Sequence, residues 1–187
     1  MDEFGYLSVL LSIILGLSVT QLLQGLSGIV QARNRVRIYW PAVGWAILLL
    51  VVDAQAWWAM FGLRTHHPWT FLHFSIVLLQ TILLYLLAAL VLPSFAGDEV
   101  VDLRANYFGH ARWFFGTFVA VLIVSLCKDK ILNGAFPGGI NLAFHFIFIV
   151  WSALAALIRS DRFHRISICL SALLFTAYIA LLFAELR

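Results

Sequence analysis

The chain has little charge, few prolines and only two cysteines. Asp, Glu, Lys and Arg make up 11% of the 187 residues, and hydrophobic residues make up 63%. An average soluble domain has roughly 25% charged and 45–50% apolar residues. This composition excludes a disordered chain, a collagen-like fibre, a nucleic-acid-binding protein and a water-soluble enzyme. A soluble protein of this size could not bury so much apolar surface, so the composition predicts an integral membrane protein.

The apolar residues form continuous runs, which predict transmembrane α-helices rather than a β-barrel with alternating residues. A spanning helix needs about 20 mostly apolar residues. Six such spans are predicted, and they form a single all-α domain covering residues 1–187. The predicted spans are residues 4–30, 41–63, 69–92, 107–127, 140–158 and 166–186. We expect the fourth span, which is almost wholly apolar, to face lipid or a second subunit.

Arginine and lysine are distributed unequally between the two predicted faces. Cytoplasmic loops of membrane proteins carry the excess of these residues. Eight of them share one predicted face, and the other face has four. We therefore expect a protein of the cell (inner) membrane with both termini on the outer side, and anionic lipid headgroups as partners of the cytoplasmic arginines. Those eight are Arg33, Arg35, Arg37, Arg104, Arg112, Arg159, Arg162 and Arg165.

Asp53 is the most informative polar residue inside a predicted span. Its apolar neighbours place it near the bilayer midplane, where an ionised carboxylate costs at least about 3 kcal/mol unless it is paired or hydrated. Intramembrane ionisable residues of this kind commonly mark ion or proton paths. We therefore expect Asp53 to bind a proton or an ion.

Depth matching suggests the residues that accompany Asp53. Counted from the span ends, Gln80 reaches the same level, and we expect it to be the nearest polar partner of Asp53. The predicted polar track opens outward and consists of Asp53, Gln80, His73, His145 and Ser152. Gln55 is left out, because residues two apart on a helix point about 200° apart.

Two other spans carry regular polar stripes. On the sixth span, Ser171, Tyr178 and Glu185 follow His164 at seven-residue intervals and form a secondary polar stripe. On the first span, small or polar residues recur every four positions and predict close contact with another helix. These residues are Ser8, Ser12, Gly16, Thr20 and Gln24.

The two cysteines predict neither a disulfide nor a metal centre. Cys127 ends the fourth span and Cys169 begins the sixth, so we expect them nearly a bilayer apart, too far for a bond. Their spacing fits no zinc or redox motif.

The function favoured by these features is transport. We expect a small transport or channel protein that moves an ion, proton or solute along the track centred on Asp53, with no bound cofactor. Because six spans line only a narrow path, an assembly of identical subunits is expected.

Two alternatives remain open. His73 and His145, at equal depth on two spans, suit the axial ligands of a b-type haem in an electron-transfer protein. The chain also fits an accessory subunit of a larger membrane complex.

Gly25-Leu26-Ser27-Gly28 resembles the Gly-x-Ser-Gly pattern of rhomboid-type intramembrane serine proteases, which also have six spans. The resemblance covers four residues and implies a nucleophilic role for Ser27. In that family the serine lies on a later helix that opens toward the outside, whereas Ser27 lies at the predicted cytoplasmic end of the first span. Only His110 and His164 lie on that side as candidate bases. We therefore favour a function without catalysis.

Overall fold

The computed structural model describes residues 3–95 and 100–182, without the Leu182 side chain, and shows an all-α protein. A short 3₁₀ helix, Phe61–Thr65, continues the second helix. The six α-helices are α1 (Glu3–Gln31), α2 (Trp40–Met60), α3 (Phe71–Val91), α4 (Leu103–Asn133), α5 (Gly139–Leu157) and α6 (Asp161–Leu182). The all-α prediction is confirmed.

Five of these helices are long and apolar enough to cross a membrane, namely α1, α2 with its 3₁₀ extension, α3, α5 and α6. The protein is therefore membrane-embedded. Many of their large apolar side chains, such as Leu17 and Val150, are exposed, as expected for groups that face lipid. The remaining helix, α4, carries charged residues toward both of its ends.

Most helix bounds lie within three residues of the predicted ones, and the exceptions are α4 and α6. α4 is longer than residues 107–127 because Asp102 starts it and Gly134 ends it. The Asp102 carboxylate accepts hydrogen bonds from the Arg104 and Ala105 N–H groups at 2.9 and 3.0 Å. These bonds hold the pKa of Asp102 below its usual range, and the bond from Ala105 has the largest effect. Gly134 adopts the left-handed conformation, with φ of 72°.

Two strands of two residues each link the loops at the end of the bundle that carries most arginines, the Arg-rich end. β1 (Val36–Arg37) pairs in parallel with β2 (Val101–Asp102). The α1–α2 loop is thereby joined to the start of α4. At the same end the Asp161 carboxylate lies 2.8 Å from Arg165 and 3.5 Å from Arg104, which links α6 to α4.

α4 lies in the core of the bundle, packed against α3 and α5. Trp45 of α2 is 1% exposed, and its ring contacts three phenylalanine rings of α4 at centroid distances of 5.4, 5.4 and 5.8 Å. These rings belong to Phe114, Phe115 and Phe118. The prediction that the fourth span faces lipid or another subunit is wrong, because the aromatic side of α4 is needed to fill the space between the other helices.

The small and polar stripe of α1 does not contact a helix of the same chain. Ser12, Gly16, Thr20 and Gln24 are exposed, so the predicted helix contact is wrong within the described chain. α1 instead approaches its neighbours through glycines on another face. A Cβ atom on Gly25 would lie 2.8 Å from Leu92 Cδ1.

Gly25→Ala is expected to have a free energy of unfolding about 1–3 kcal/mol lower than that of Gly16→Ala, because both gain helix propensity but only the methyl group at position 25 overpacks the contact with Leu92. Gly16→Ala is the matched control in the same helix, since no atom lies within 4 Å of its added Cβ. Thermal unfolding of both variants in detergent measures the difference. Equal melting temperatures would contradict close packing at Gly25.

Candidate functional site

Two adjoining cavities are lined by the five helices α2 to α6. They lie in the half of the bundle away from the Arg-rich end. Measured as space open to the centre of a water molecule, the larger is about 170 Å³ and the smaller about 80 Å³. One water needs only about 10–15 Å³ of such space, so both have room for several.

Where the cavities meet, each of the five helices α2 to α6 contributes one polar side chain to the lining of both. We call this set the polar ring. Its members are Gln55, Gln80, Ser125, His145 and Tyr178. A set of convergent polar groups inside an apolar bundle is the usual form of a small-molecule site in a membrane protein.

The larger cavity continues to a mouth lined by Lys128, Asp129, Asn133 and Asn141. Neither Lys128 nor Asp129 has an ion-pair partner within the part of the chain that the structure describes. The Asn141 amide oxygen is buried and likewise has no hydrogen-bond partner there. The mouth therefore combines opposite charges with free hydrogen-bonding groups.

The smaller cavity is lined mainly by apolar side chains and forms the apolar bottom. Phe118, Phe144, Phe148 and Phe175 supply four rings from three helices. Phe175 in turn stacks on Tyr178 of the polar ring, with centroids 5.7 Å apart. No Asp, Glu, Lys or Arg is among the described residues that line this cavity.

His145 is held in one tautomer by its neighbours. Its Nδ1 lies 2.9 Å from the backbone carbonyl oxygen of Asn141, and its Nε2 lies 3.1 Å from Ser125 Oγ. Since a carbonyl oxygen only accepts, Nδ1 donates, and Nε2 of the neutral ring accepts from the serine hydroxyl. His145 is 5% exposed. It joins α5 to α4 through the bond to Ser125.

The amides of Gln55 and Gln80 have no side-chain hydrogen bonds among residues 3–95 and 100–182, although both line the cavities. Each amide offers two N–H donors and one carbonyl acceptor. These groups are the ones that a bound molecule or water would satisfy.

Asp53 lies behind the cavity wall rather than in it. It is 2% exposed, and its Oδ2 accepts a hydrogen bond from Ser18 Oγ of α1 at 2.7 Å. The polar partner of Asp53 is thus Ser18 and not the predicted Gln80. The reason is that Asp53 points toward α1, whereas Gln80 points toward the cavities lined by α4 to α6. Ser18 Oγ is also 3.4 Å from the Leu84 carbonyl oxygen. Leu84 itself lines both cavities.

The predicted track is therefore only partly assembled. Gln80 and His145 meet at the polar ring, whereas Asp53, His73 and Ser152 line neither cavity. His73 Nδ1 lies 3.0 Å from His66 Nε2 near the start of α3. Ser152 is buried on α5. Because His73 and His145 have different partners and only one of them lines the cavities, the geometry gives haem binding by this pair no support.

The stripe on α6 contributes one residue to the cavities. Tyr178 belongs to the polar ring, and Ser171 is buried, its hydroxyl without a hydrogen-bond partner in the described chain. Glu185 lies outside the described residues. His164, at the Arg-rich end, bonds to the Tyr107 hydroxyl at 2.9 Å and the Ile158 carbonyl at 2.7 Å, which makes it a link between helices.

Among the described residues, no histidine lines the groove around Ser27. Its hydroxyl accepts a hydrogen bond from the Gln31 amide at 2.7 Å on the exposed side of α1. The shallow groove around it is lined by Thr20, Leu23, Gln24, Ser27, Gly28 and Gln31. The resemblance to the protease pattern therefore does not extend to a base that would activate the serine.

Comparison with protein-family models, with curated proteins and with solved structures gives no match. The site is therefore interpreted from its own geometry.

Proposed function

We propose that the protein is a six-span carrier that takes a small solute into the cavity between α2 and α6. The observation that carries this proposal is the polar ring, with one polar side chain from each of five helices where two cavities with room for several waters meet. A bundle that only packs in lipid gains nothing from five polar side chains around one cavity, two of which, Gln55 and Gln80, have amides without a side-chain partner among the described residues.

In this proposal α4 is the sixth span. Its 31 residues extend about 45 Å, more than the roughly 30 Å of the hydrocarbon core. Its terminal charges then reach the two interfaces. The arginine bias places the Arg-rich end in the cytoplasm against anionic headgroups, with both termini and the mouth outside. The exposed small residues of α1 suit contact between two copies.

The smaller cavity is lined mainly by apolar side chains, which favours a carrier over a channel with a continuous polar path. Phe118 forms part of the apolar bottom, and on the Arg-rich side its ring packs against Trp45. Transport by alternating access therefore requires this aromatic contact to open while the mouth closes.

Asp53 retains a role in this proposal as the residue that couples a proton or ion to the movement. Its partner Ser18 contacts the Leu84 carbonyl, and the Leu84 side chain lines the cavities. A change in the Asp53–Ser18 hydrogen bond can therefore move the cavity wall, because Leu84 both contacts Ser18 and lines the cavities.

Cysteine labelling tests the site and the transport without a known solute. In a background of Cys127→Ser and Cys169→Ser, we expect Gln80→Cys to react with a membrane-impermeant thiol reagent from the outside. Leu79→Cys is the control, because this neighbouring side chain is 43% exposed on the outer surface of the bundle, where lipid lies. Thiols react as thiolates, which need water, so we expect Gln80→Cys to react at least about tenfold faster.

The same labelling in inside-out vesicles separates a carrier from a membrane receptor. A carrier exposes Gln80→Cys to both sides in turn, so reaction is expected from both. Reaction from the outer side alone would contradict transport, and equal reactivity of the two cysteine variants would contradict the cavity itself.

A further inference from the structure

We propose that the cavity binds a small, uncharged, amphipathic molecule, with its hydrogen-bonding head at the polar ring and an apolar body of about one aromatic ring in the bottom. This inference rests on the proposed function, because it takes the cavity as the substrate site. It adds the chemical class of the substrate.

The distribution of charge argues that the molecule is uncharged. The charged residues of the lining, Lys128 and Asp129, are confined to the mouth, and the apolar bottom has none. Both ring nitrogens of His145 are already engaged, Nδ1 by the Asn141 backbone carbonyl and Nε2 by the Ser125 hydroxyl. Lys128 and Asp129 have opposite signs and lie close together, about one helical turn from Ser125, so a charged head of either sign would meet a like charge as well as an opposite one. An uncharged head leaves water without that conflict.

The two glutamines argue that the molecule has a polar head. Gln55 and Gln80 face the cavity with amides that no described side chain satisfies. Displacing water from them with a purely apolar molecule would leave buried donors and acceptors unpaired. A hydroxyl, phenol or amide group replaces that water, because it donates and accepts like the glutamine amide.

The phenylalanines argue for an apolar body and for its direction. Along α4, Ser125 of the ring is seven residues from Phe118 of the bottom, a rise of about 10 Å. A molecule whose head lies at the polar ring therefore reaches the apolar bottom if its body is about as long as one benzene ring. Phe144, Phe148 and Phe175 offer faces and edges to an aromatic body at that depth.

A matched series of ligands tests each part of the inference. Benzyl alcohol, toluene, benzylamine and benzoate share a ring and differ in the head, which is neutral, absent, cationic or anionic at neutral pH. We expect purified full-length protein to bind benzyl alcohol at least about tenfold more tightly than the other three, by equilibrium dialysis corrected for detergent uptake.

Two variants assign the binding to the site. Gln80→Leu is expected to remove the preference for benzyl alcohol over toluene while toluene binding stays the same. Val121→Trp fills the bottom and is expected to abolish binding of both. Leu79→Met, on the outer surface, is the control for detergent uptake, and melting temperatures confirm that each variant is folded.

The outcomes are distinct. Benzylamine or benzoate binding as tightly as benzyl alcohol would overturn the uncharged head, and toluene binding equally well would overturn the polar head. Failure of all four ligands to bind, with Gln80→Cys still reactive from both sides, would overturn the substrate class and leave the carrier. Selective binding of benzyl alcohol with labelling from one side would support the class and overturn the carrier.

Discussion

Replacing Trp45 with alanine is expected to lower the free energy of unfolding by about 3–5 kcal/mol, the usual cost of deleting a buried aromatic side chain. Trp45 is fully enclosed by rings of α4 and lies in the core shared by α2 and α4. Its loss leaves a cavity that the surrounding helices cannot fill. Thermal or denaturant unfolding in detergent measures the change.

Trp113→Ala is the control for this prediction. Trp113 belongs to the aromatic part of α4, against which Trp45 packs, but it is itself 73% exposed. Its loss is therefore expected to change the melting temperature little. In the carrier, Trp45→Ala also opens the contact behind Phe118, and Gln80→Cys is then expected to react faster from the Arg-rich side. Similar stability losses for the two alanine variants would contradict the central position of Trp45.

Asp53→Asn is expected to reduce labelling of Gln80→Cys from the Arg-rich side by about 5- to 150-fold, the range of typical coupling between sites. Asparagine still offers a carbonyl oxygen to Ser18, so the melting temperature is expected to stay close to that of the parent. What it removes is the group that gains and loses a proton. Labelling of both sides of vesicles, with unfolding measured in parallel, gives both quantities.

Asp53→Ala and Ser18→Ala separate packing from coupling. Asp53→Ala removes the acceptor and leaves the buried Ser18 hydroxyl with only the longer contact to the Leu84 carbonyl oxygen, which is expected to cost about 1–3 kcal/mol of stability. Ser18→Ala removes the bond and keeps the carboxyl group. If Asp53→Asn labels from both sides at the parental rates, Asp53 only packs helices and has no part in coupling.

Much of the fold follows from the sequence, because hydrophobic runs and turn residues identify helices without any knowledge of their packing. The bounds of α1, α3 and α5 are examples. The position of α4 could not be obtained in this way. An apolar helix is compatible with lipid or with a protein core, and only the other helices decide which.

The candidate site was harder to predict, because depth in the membrane can be counted along a sequence whereas the rotation of each helix cannot. The predicted track included both Gln80 and His145, and both line the cavities. The same prediction put Asp53 at the centre of the track, because an ionised carboxylate is costly inside the membrane. Gln55 was then left out, because it points to the opposite side of α2 from Asp53. That angular argument is sound, and it is Gln55 that faces the cavity. Ser125 and Ser18 gave no signal, since a lone serine in a span is common.

The short pairing of β1 with β2 has a consequence for the order in which the protein is made. Val36 leaves the ribosome with the end of the first helix, but its partner Val101 follows only after α3. The α1–α2 loop therefore remains without this contact while α2 and α3 enter the membrane. The pairing fixes the position at which α4 starts, and neither it nor the contact of the α4 phenylalanines with Trp45 requires a residue of α5 or α6.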